Sequence, residues 1–291
     1  MKRWLPILFA LLLLILFALA ALRYLTPESS SSYSDGLYYT NLNSDRDIEL
    51  FENILEESGI PEEDGEDLVI LIRQYNQQFS GILKAKDHPL KTDSLSIPYD
   101  EARAFQIWFD KTSNRYSDVN CRIAAFSIMK SRIDATQPYK GNSLNLMFDY
   151  SCLDQYPVES FSEEEREQFT ALYAVMTPPS TEDKLAMRDF IRGEWEKRGI
   201  TFAEGTPSLV NVFLHDVGLQ ELFVGHCGVL MELSDKQYAF FEKLAPTLPY
   251  QLSFFQKKEE LVAYLEAKYG SRYEAGGVRP LIMENLELLN P

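Results

Sequence analysis

The stretch that decides the fold is "ELFVGHCGVLMELSDKQYAFFEKLAP", residues 221–246, in which two apolar runs flank the polar break "SDKQ". Runs rich in β-branched and aromatic residues on either side of a short polar break predict an antiparallel hairpin. A four-residue turn permits a register in which His226 faces Glu242. Directly opposed Cβ atoms lie about 5 Å apart, close enough for a carboxylate to accept a hydrogen bond from an imidazole. The hairpin therefore permits a His-Glu pair, and the alternatives are a histidine satisfied by a backbone carbonyl in the core and a solvent-exposed glutamate.

The rest of the chain divides into helices followed by strands. Apolar runs such as "SLVNVFLHD", "YQLSFFQ" and "RPLIMENLELL" predict further strands, and "KKEELVAYLEAKYGS" predicts a helix among them. Before residue 201 the apolar spacing is helical. Helices first and meandering strands afterwards indicate an α+β fold, with N-terminal helices packed on a C-terminal antiparallel sheet. We predict one α+β domain over 45–291, with a helical half over 45–200 and a sheet half over 201–291.

The N-terminus "MKRWLPILFALLLLILFALAALRYL" predicts export. Two basic residues precede an uncharged run from Trp4 to Leu22, which as a helix would be about 28 Å long, close to a bilayer core. We predict a signal anchor over 1–23, or a signal peptide cut after the Ala18–Ala20 "ALA", and then a flexible Ser-rich tether over 24–44. The body is then extracytoplasmic on a single-pass membrane anchor, or secreted if the signal is cleaved.

Composition narrows the functional classes. A net charge of −16 with no basic stripe argues against nucleic acid and anionic lipid headgroups as partners. The three cysteines are too few for a disulfide scaffold, and their odd number leaves at least one thiol, with a Cys152–Cys227 disulfide as one option. The stretch "LHDVGLQELFVGHC" contains His215 and His226 but no H-x-x-x-H or C-x-x-C spacing. We therefore predict no metal and no cofactor.

Cys121 lies at the predicted start of a buried helix, in "YSDVNCRIAAFSIMK", with Asp118 or Asn120 as the N-cap. The positive end of a helix dipole and its unpaired backbone NH groups lower the pKa of a thiol and make it nucleophilic. The same NH groups can hold an oxyanion. The alternative is a small cysteine buried for packing, a common fate of this residue.

The chain order of a helix-opening cysteine, a histidine strand and a polar residue on the next strand resembles that of the papain-like fold. The "GHCGVL" strand is similar to the H-x-G-[IV] strand of NlpC/P60 cell-wall peptidases and amidases. This resemblance implies Cys121 as nucleophile, His226 as base and Glu242 as the residue that orients the imidazole. The chain departs from that family in having "NCRIAAF" instead of a Ser-Gly pair after the cysteine, and in the long Cys-His separation.

Flanking residues complete the predicted site. We expect Asn120 or Tyr116, with the backbone NH of Cys121, to stabilise the oxyanion, and Arg122 to contribute to oxyanion or substrate binding. More closely, the blocks "YSDVNCRIAAFSIMK", "FVGHCGVLMEL", "FFEKLAPTLPYQ" and "PLIMENLELL" resemble domain of unknown function family 4300, exported proteins of Gram-positive bacteria, over most of residues 38–291. That family implies the fold and the export but names no reaction.

Together these features predict an extracytoplasmic thiol hydrolase, an amidase or peptidase, with a peptide or peptidoglycan substrate. The alternative is a non-catalytic binding module on a papain-like scaffold, in which the same residues have a structural role.

Overall fold

The predicted hairpin lies at the centre of an eight-stranded antiparallel sheet in the computed structural model of the protein, which describes residues 36–85, 89–112, 119–155 and 161–291. The strand order is β10-β9-β5-β6-β7-β8-β1-β2, and β3 pairs with β4 in a separate ribbon. The strands are β1 (Leu37–Thr40), β2 (Leu90–Thr92), β3 (Ile133–Ala135), β4 (Ile200–Phe202), β5 (Ser208–Asp216), β6 (Glu221–Glu232), β7 (Tyr238–Lys243), β8 (Tyr250–Phe255), β9 (Leu281–Glu284) and β10 (Glu287–Leu288).

Helices cover both faces of this sheet. One face carries the larger core, built with the helices that precede β5, and the other face packs against the helix that follows β8. The helices are α1 (Asp45–Glu57), α2 (Glu62–Gln78), α3 (Glu101–Thr112), α4 (Cys121–Met129), α5 (Met147–Gln155), α6 (Glu163–Tyr173), α7 (Lys184–Lys197) and α8 (Lys258–Tyr269). The predicted α+β class, with helices packed on a large antiparallel sheet, is confirmed.

Helix α4 is the central helix of the larger core. Eight of its nine residues are buried, and it packs against β5, β6 and β7. A helix that is apolar on all sides is expected in the interior, because it has no polar face to turn toward water. Phe126 of α4 stacks edge-on with Phe161 and Phe169, which fixes the helix against its neighbours. The N-terminus of α4 is therefore held rigidly over the sheet.

A β-bulge at Gly225 changes which residues of β6 face α4. Val212 pairs with His226 while Phe213 pairs with Val224, so Gly225 is the extra residue. Without the bulge, Val224 and His226 would lie on one face. With it, Val224 packs in the α4 core, whereas His226 lies on the face that carries Glu242 and α8. A Cβ at Gly225 would come within 2.3 Å of Leu214 Cδ1, so this position favours glycine.

Two sequence predictions require correction here. Residues 37–40, placed in the flexible tether, form β1, which pairs with β8 and β2, so the folded domain begins earlier than residue 45. The last predicted strand is a hairpin, β9 and β10, that turns at Asn285 with a positive φ of 48°. The predicted anchor over 1–23 lies outside the described residues. Within the described ranges, no helix combines the length and the apolar character needed to cross a membrane.

Candidate active site

Cys121 is the first residue of α4, and Asn120 is its N-cap. The Asn120 Oδ1 accepts a hydrogen bond from the Ile123 backbone NH at 3.0 Å, while its Nδ2 donates to Asp149 Oδ1 at 2.7 Å. An amide that accepts from the helix start satisfies one of the donors that every helix N-terminus leaves open. Of the two caps proposed from the sequence, Asn120 is the one observed. Both ends of the Asn120 side-chain amide are thus engaged in hydrogen bonds. The oxyanion role of Asn120 stays a prediction.

Arg122 anchors the start of α4 to the bulged strand. Its guanidinium makes a two-pronged contact with Asp149, with Nε to Oδ1 at 3.0 Å and Nη2 to Oδ2 at 2.6 Å, and its Nη1 donates to the Val224 carbonyl oxygen at 3.1 Å. The Asp149 side chain is 0% exposed and that of Arg122 is 14% exposed. A paired guanidinium and carboxylate with this geometry hold one orientation. Arg122 thus ties the start of α4, and with it Cys121, to β6 at Val224.

Replacing Arg122 by alanine is expected to lower the free energy of unfolding by about 3–5 kcal/mol, because it leaves the buried Asp149 carboxylate without its cation. Urea unfolding followed by circular dichroism measures this loss. The matched control is Arg188→Ala, which breaks an ion pair with the exposed Asp189 and is expected to cost no more than about 1 kcal/mol. Equal losses in the two variants would show that the Asp149 pair does not anchor α4.

His226 and Glu242 are hydrogen-bonded, although the predicted register is wrong. The Cα partner of Glu242 is Gly228, so His226 lies two residues along the strand from the directly opposed position. A shift of two residues keeps both side chains on the same face, since strand side chains alternate with a period of two. His226 Nε2 and Glu242 Oε2 are 2.7 Å apart, and both side chains are almost completely buried. The pair is diagonal rather than directly opposed.

Four donors surround the Glu242 carboxylate. Lys268 Nζ donates to Oε2 at 3.1 Å, and the Tyr264 hydroxyl and Gln251 Nε2 donate to Oε1, in addition to His226. Burial raises the pKa of Glu242, but the charge of Lys268 and the hydrogen bonds from His226 and Tyr264 outweigh it, so the pKa falls to about 2. Glu242 is therefore ionised, and an ionised carboxylate only accepts. Nε2 of His226 must carry a proton, which leaves Nδ1 as the other ring nitrogen.

Cys121 and His226 each shift the pKa of the other. A hydrogen bond with Cys227 is the largest influence that lowers the pKa of Cys121; burial opposes it, and the hydrogen bond and charge of His226 and the charge of Arg122 add to it, so this pKa is well below its ordinary value. Burial lowers the pKa of His226, but hydrogen bonds with Cys121 and Glu242 raise it above its ordinary value overall. Both directions favour a thiolate beside an imidazolium.

The imidazole is also held by an aromatic ring. Tyr269, at the end of α8, stacks on His226 with ring centroids 4.9 Å apart and planes 22° from parallel. Gly228, next to this pair, would bring a Cβ within 2.4 Å of the Phe240 ring and 2.5 Å of the Phe241 carbonyl oxygen. The absence of a Cβ at Gly228 thus allows the Phe240 ring to pack closely against this part of β6. These contacts restrict the imidazole to one orientation.

Cys227 lies beside Cys121 rather than in a disulfide with Cys152. All three cysteines are in the thiol form, and no disulfide forms within the described part of the chain. Cys227 shares a side-chain hydrogen bond with Cys121, and its Sγ is 3.7 Å from the Tyr173 hydroxyl. Burial, followed by the interaction with Cys121, raises the pKa of Cys227 well above its ordinary value. Cys227 is therefore a protonated thiol next to the predicted nucleophile.

The site is closed in this structure. Cys121 is 9% exposed, His226 2% and Glu242 1%. Two surface depressions lie elsewhere on the described chain, one about 290 Å³ in volume beside Tyr139 and Tyr150, the other about 500 Å³. Neither is lined by the three predicted catalytic residues.

The other predicted residues lie apart from this cluster or outside the described residues. Tyr116 falls outside the described ranges. His215, at the end of β5, accepts a hydrogen bond from the Val278 backbone NH at 3.2 Å. In the described ranges, no group of three or more His, Cys, Asp or Glu side chains is arranged to hold a metal ion.

Sequence reasoning missed the residues of α8 that complete the site. Tyr264 and Lys268 are four residues apart on one helix and both contact Glu242, and Lys268 also donates to the Tyr264 hydroxyl at 2.9 Å. The spacing places both side chains on one helix face. It gives no indication of which strand that face covers, so the sequence alone predicts only a helix.

These observations define a mixed α+β domain with a buried Cys-His-Glu cluster at the junction of a helix start and a bulged strand. Residues 38–289 match the family model described as Domain of unknown function (DUF4300), and the chain belongs to that family. Neither the curated proteins nor the solved structures gave a match.

Proposed function

We propose that the protein is a papain-like thiol hydrolase, an amidase or peptidase of the NlpC/P60 type. The observation that carries this proposal is the hydrogen bond between His226 and Glu242, together with the interaction of the same imidazole with Cys121 at the first residue of α4. A nucleophile, a base in contact with it and a third group that orients the base are the parts that acyl transfer requires. The helix-before-strand placement agrees with the order expected of a papain-like fold.

In the proposed reaction, the Cys121 thiolate attacks the carbonyl carbon of an amide. The imidazolium of His226 gives its proton to the leaving amine, and a water molecule then hydrolyses the thioester with His226 as base. The Cys121 backbone NH, at the positive end of α4, is the proposed oxyanion donor. Glu242 stays ionised and keeps the imidazole in one tautomer.

We further propose that the reaction takes place outside the cytoplasm, on a peptide or on the peptide part of peptidoglycan. The support for this is the apolar N-terminal segment over 1–23, which would anchor the protein to the membrane or direct its secretion. The net charge of −16 disfavours nucleic acid as a partner. The proposed reaction requires no metal and no cofactor.

The burial of the site favours a second candidate, a non-catalytic binding module on the same scaffold. Cys121 is 9% exposed and the His226 imidazole 2%, so a peptide cannot reach either group without a rearrangement. In that case the Cys-His-Glu cluster stabilises the core, and a ligand binds elsewhere. The two candidates differ in whether Cys121 behaves as an accessible thiolate.

Iodoacetamide labelling at several pH values separates them. For a hydrolase, the labelling rate of Cys121 is expected to change little between pH 6 and 8, because its pKa is already low. In His226→Ala the rate should rise with pH, by up to about a hundredfold over this range, because the thiolate loses the imidazolium that stabilises it and the pKa of Cys121 rises. Peptide mass spectrometry locates the label, and Cys152→Ala is the control that keeps the wild-type profile. Absence of Cys121 labelling in the folded wild type would reject the hydrolase.

A further inference from the structure

Cys227 is the one feature of the site that the proposed hydrolysis does not use. It follows His226 directly in β6. Because side chains alternate along a strand, Cys227 lies on the opposite face, in the core beneath α4. There Cys227 and Cys121 lie in the same buried cluster and interact with each other, and the hydrogen bond from Arg122 Nη1 to the Val224 carbonyl oxygen, at 3.1 Å, holds the first turn of α4 against this part of β6. Two thiols from distant parts of the chain are thus in contact.

The surroundings of Cys227 are polar as well as buried. Its Sγ is 3.7 Å from the Tyr173 hydroxyl, and its Cα partner on β5 is Asn211. Asn211 is 0% exposed, and neither end of its side-chain amide has a hydrogen-bond partner among the described residues. An unsatisfied buried amide is costly, so a polar group on this side of β6 would gain a donor and an acceptor at no further desolvation cost. The interior around Cys227 is thus able to hold the polar sulfenic acid through which a thiol is oxidised.

We propose that Cys121 and Cys227 are a reversible redox pair, in which a peroxide converts the two thiols into a Cys121–Cys227 disulfide. The pairing itself stands on the contact between the two side chains. Its consequence, reversible inactivation of the nucleophile, rests on the proposed hydrolase function. Cys152, which sequence reasoning offered as the partner of Cys227, has no part in it.

The chemistry balances with hydrogen peroxide as the oxidant. The Cys121 thiolate attacks one peroxide oxygen, forming Cys121 sulfenic acid and releasing hydroxide. The Cys227 thiol then attacks the Cys121 sulfur, the sulfur–sulfur bond forms, and the sulfenic oxygen leaves as water with the proton of Cys227. Two electrons pass from the two thiols to peroxide. Cys121 is the more exposed sulfur, at 9% against 0%, so it is the one that meets peroxide first.

A resolving thiol protects a nucleophile from irreversible damage. A sulfenic acid without a neighbouring thiol is oxidised further to sulfinic acid, which ordinary thiol reductants do not reverse, whereas a disulfide is reduced by them. An exported protein meets an oxidising environment, where such protection matters. With Cys121 and Cys227 as the pair, Cys152 is the third cysteine and remains a thiol.

Mass spectrometry of the full chain tests the pair. The protein is treated with hydrogen peroxide, blocked with iodoacetamide and digested with trypsin without reduction. Trypsin places the three cysteines in separate peptides, Tyr116–Arg122, Gly141–Arg166 and Gly199–Lys236. We expect the first and third to become linked, with the loss of two hydrogen atoms and of iodoacetamide labelling at both cysteines, and dithiothreitol to restore both. Cys152→Ala should give the same result.

Cys227→Ser is the decisive variant. Without the resolving thiol, Cys121 is expected to be trapped by dimedone as sulfenic acid and then to reach sulfinic acid, neither of which should accumulate in the wild type. A Cys152–Cys227 link, or equal sulfinic acid formation in the wild type and Cys227→Ser, would overturn the proposal. This readout is independent of catalysis, so a Cys121–Cys227 link in a protein without hydrolytic activity would reject the proposed function and support the redox pair.

Discussion

Cys121→Ala is expected to abolish amide hydrolysis, with a loss of about 10⁴-fold or more, as found when the nucleophile of a catalytic triad is removed. Alanine keeps the helix start and the small buried volume but has no sulfur to form the thioester. The assay measures the release of new amino groups from purified peptidoglycan and from its isolated peptides, with a fluorescent amine reagent. Circular dichroism and urea unfolding verify that the variant is folded.

Two comparisons make this result specific. Cys152→Ala removes another buried thiol, in α5, and should keep the wild-type rate. Substrate affinity of Cys121→Ala should remain close to that of the wild type, because only the step after binding is lost. Release of amines by Cys121→Ala at the wild-type rate would exclude Cys121 as the nucleophile. Binding without release in the wild type would instead favour the binding module.

The face of the hairpin that carries His226 and Glu242 could be predicted because strand side chains alternate. His226 and Glu242 were expected in direct opposition, and the structure shifts them by two residues, yet the even shift leaves the hydrogen bond possible. A shift of one residue would have separated them. The predicted contact therefore survived the error in register, because the error was an even number of residues.

The position of Cys227 was predictable only in part. Adjacent strand residues point to opposite faces, so Cys227 was expected on the side away from His226, and the sequence could not show that α4 covers that side. The bulge at Gly225 was equally hidden, and it moves Val224 to the face that Cys227 occupies. A glycine in a strand suggests a bulge but does not fix its position, since Gly228, two residues after His226, pairs regularly with Glu242.

Residues that act through long-range packing were not accessible to sequence patterns. β1 is a short strand, Leu37–Thr40, within a stretch that the Ser-rich composition assigns to a tether, and only its pairing with β8 gives it a place in the sheet. Lys268 is similar, because a lysine on a helix is usually solvated. Its role depends on α8 crossing the sheet beside Glu242, which is a tertiary fact.

Glu242→Gln is expected to lower the free energy of unfolding by about 3–5 kcal/mol near neutral pH, because it leaves Lys268 and His226 without the buried carboxylate that pairs with them. Glutamine has nearly the same shape, so no cavity opens and the loss reports on charge. The Tyr264 hydroxyl keeps an acceptor in the amide oxygen. The amide NH₂, however, faces the donors of Lys268 and His226, and donors do not bond to one another.

The pH dependence of this difference identifies its source. Glu242 has a pKa of about 2 in the folded protein against an ordinary 4.5, so its contribution is present above about pH 4.5 and is lost as the pH falls through about 2. This depression corresponds to about 3 kcal/mol. His226 has a raised pKa, so its contribution is fully present below its ordinary 6.5 and is lost as the pH rises through its folded-state pKa. The advantage of the wild type should therefore be largest between about pH 4.5 and 6.5.

Urea unfolding of wild type and Glu242→Gln at pH 2, 5.5 and 9 measures this profile, and Glu232→Gln, an exposed glutamate on β6, is the matched control. The control should differ from wild type by no more than about 0.5 kcal/mol at each pH, as a surface substitution does. A difference between wild type and Glu242→Gln that stays constant across the three pH values would show that Glu242 contributes shape rather than charge. The carboxylate would then not hold the imidazole, and the orienting role proposed for it would be lost.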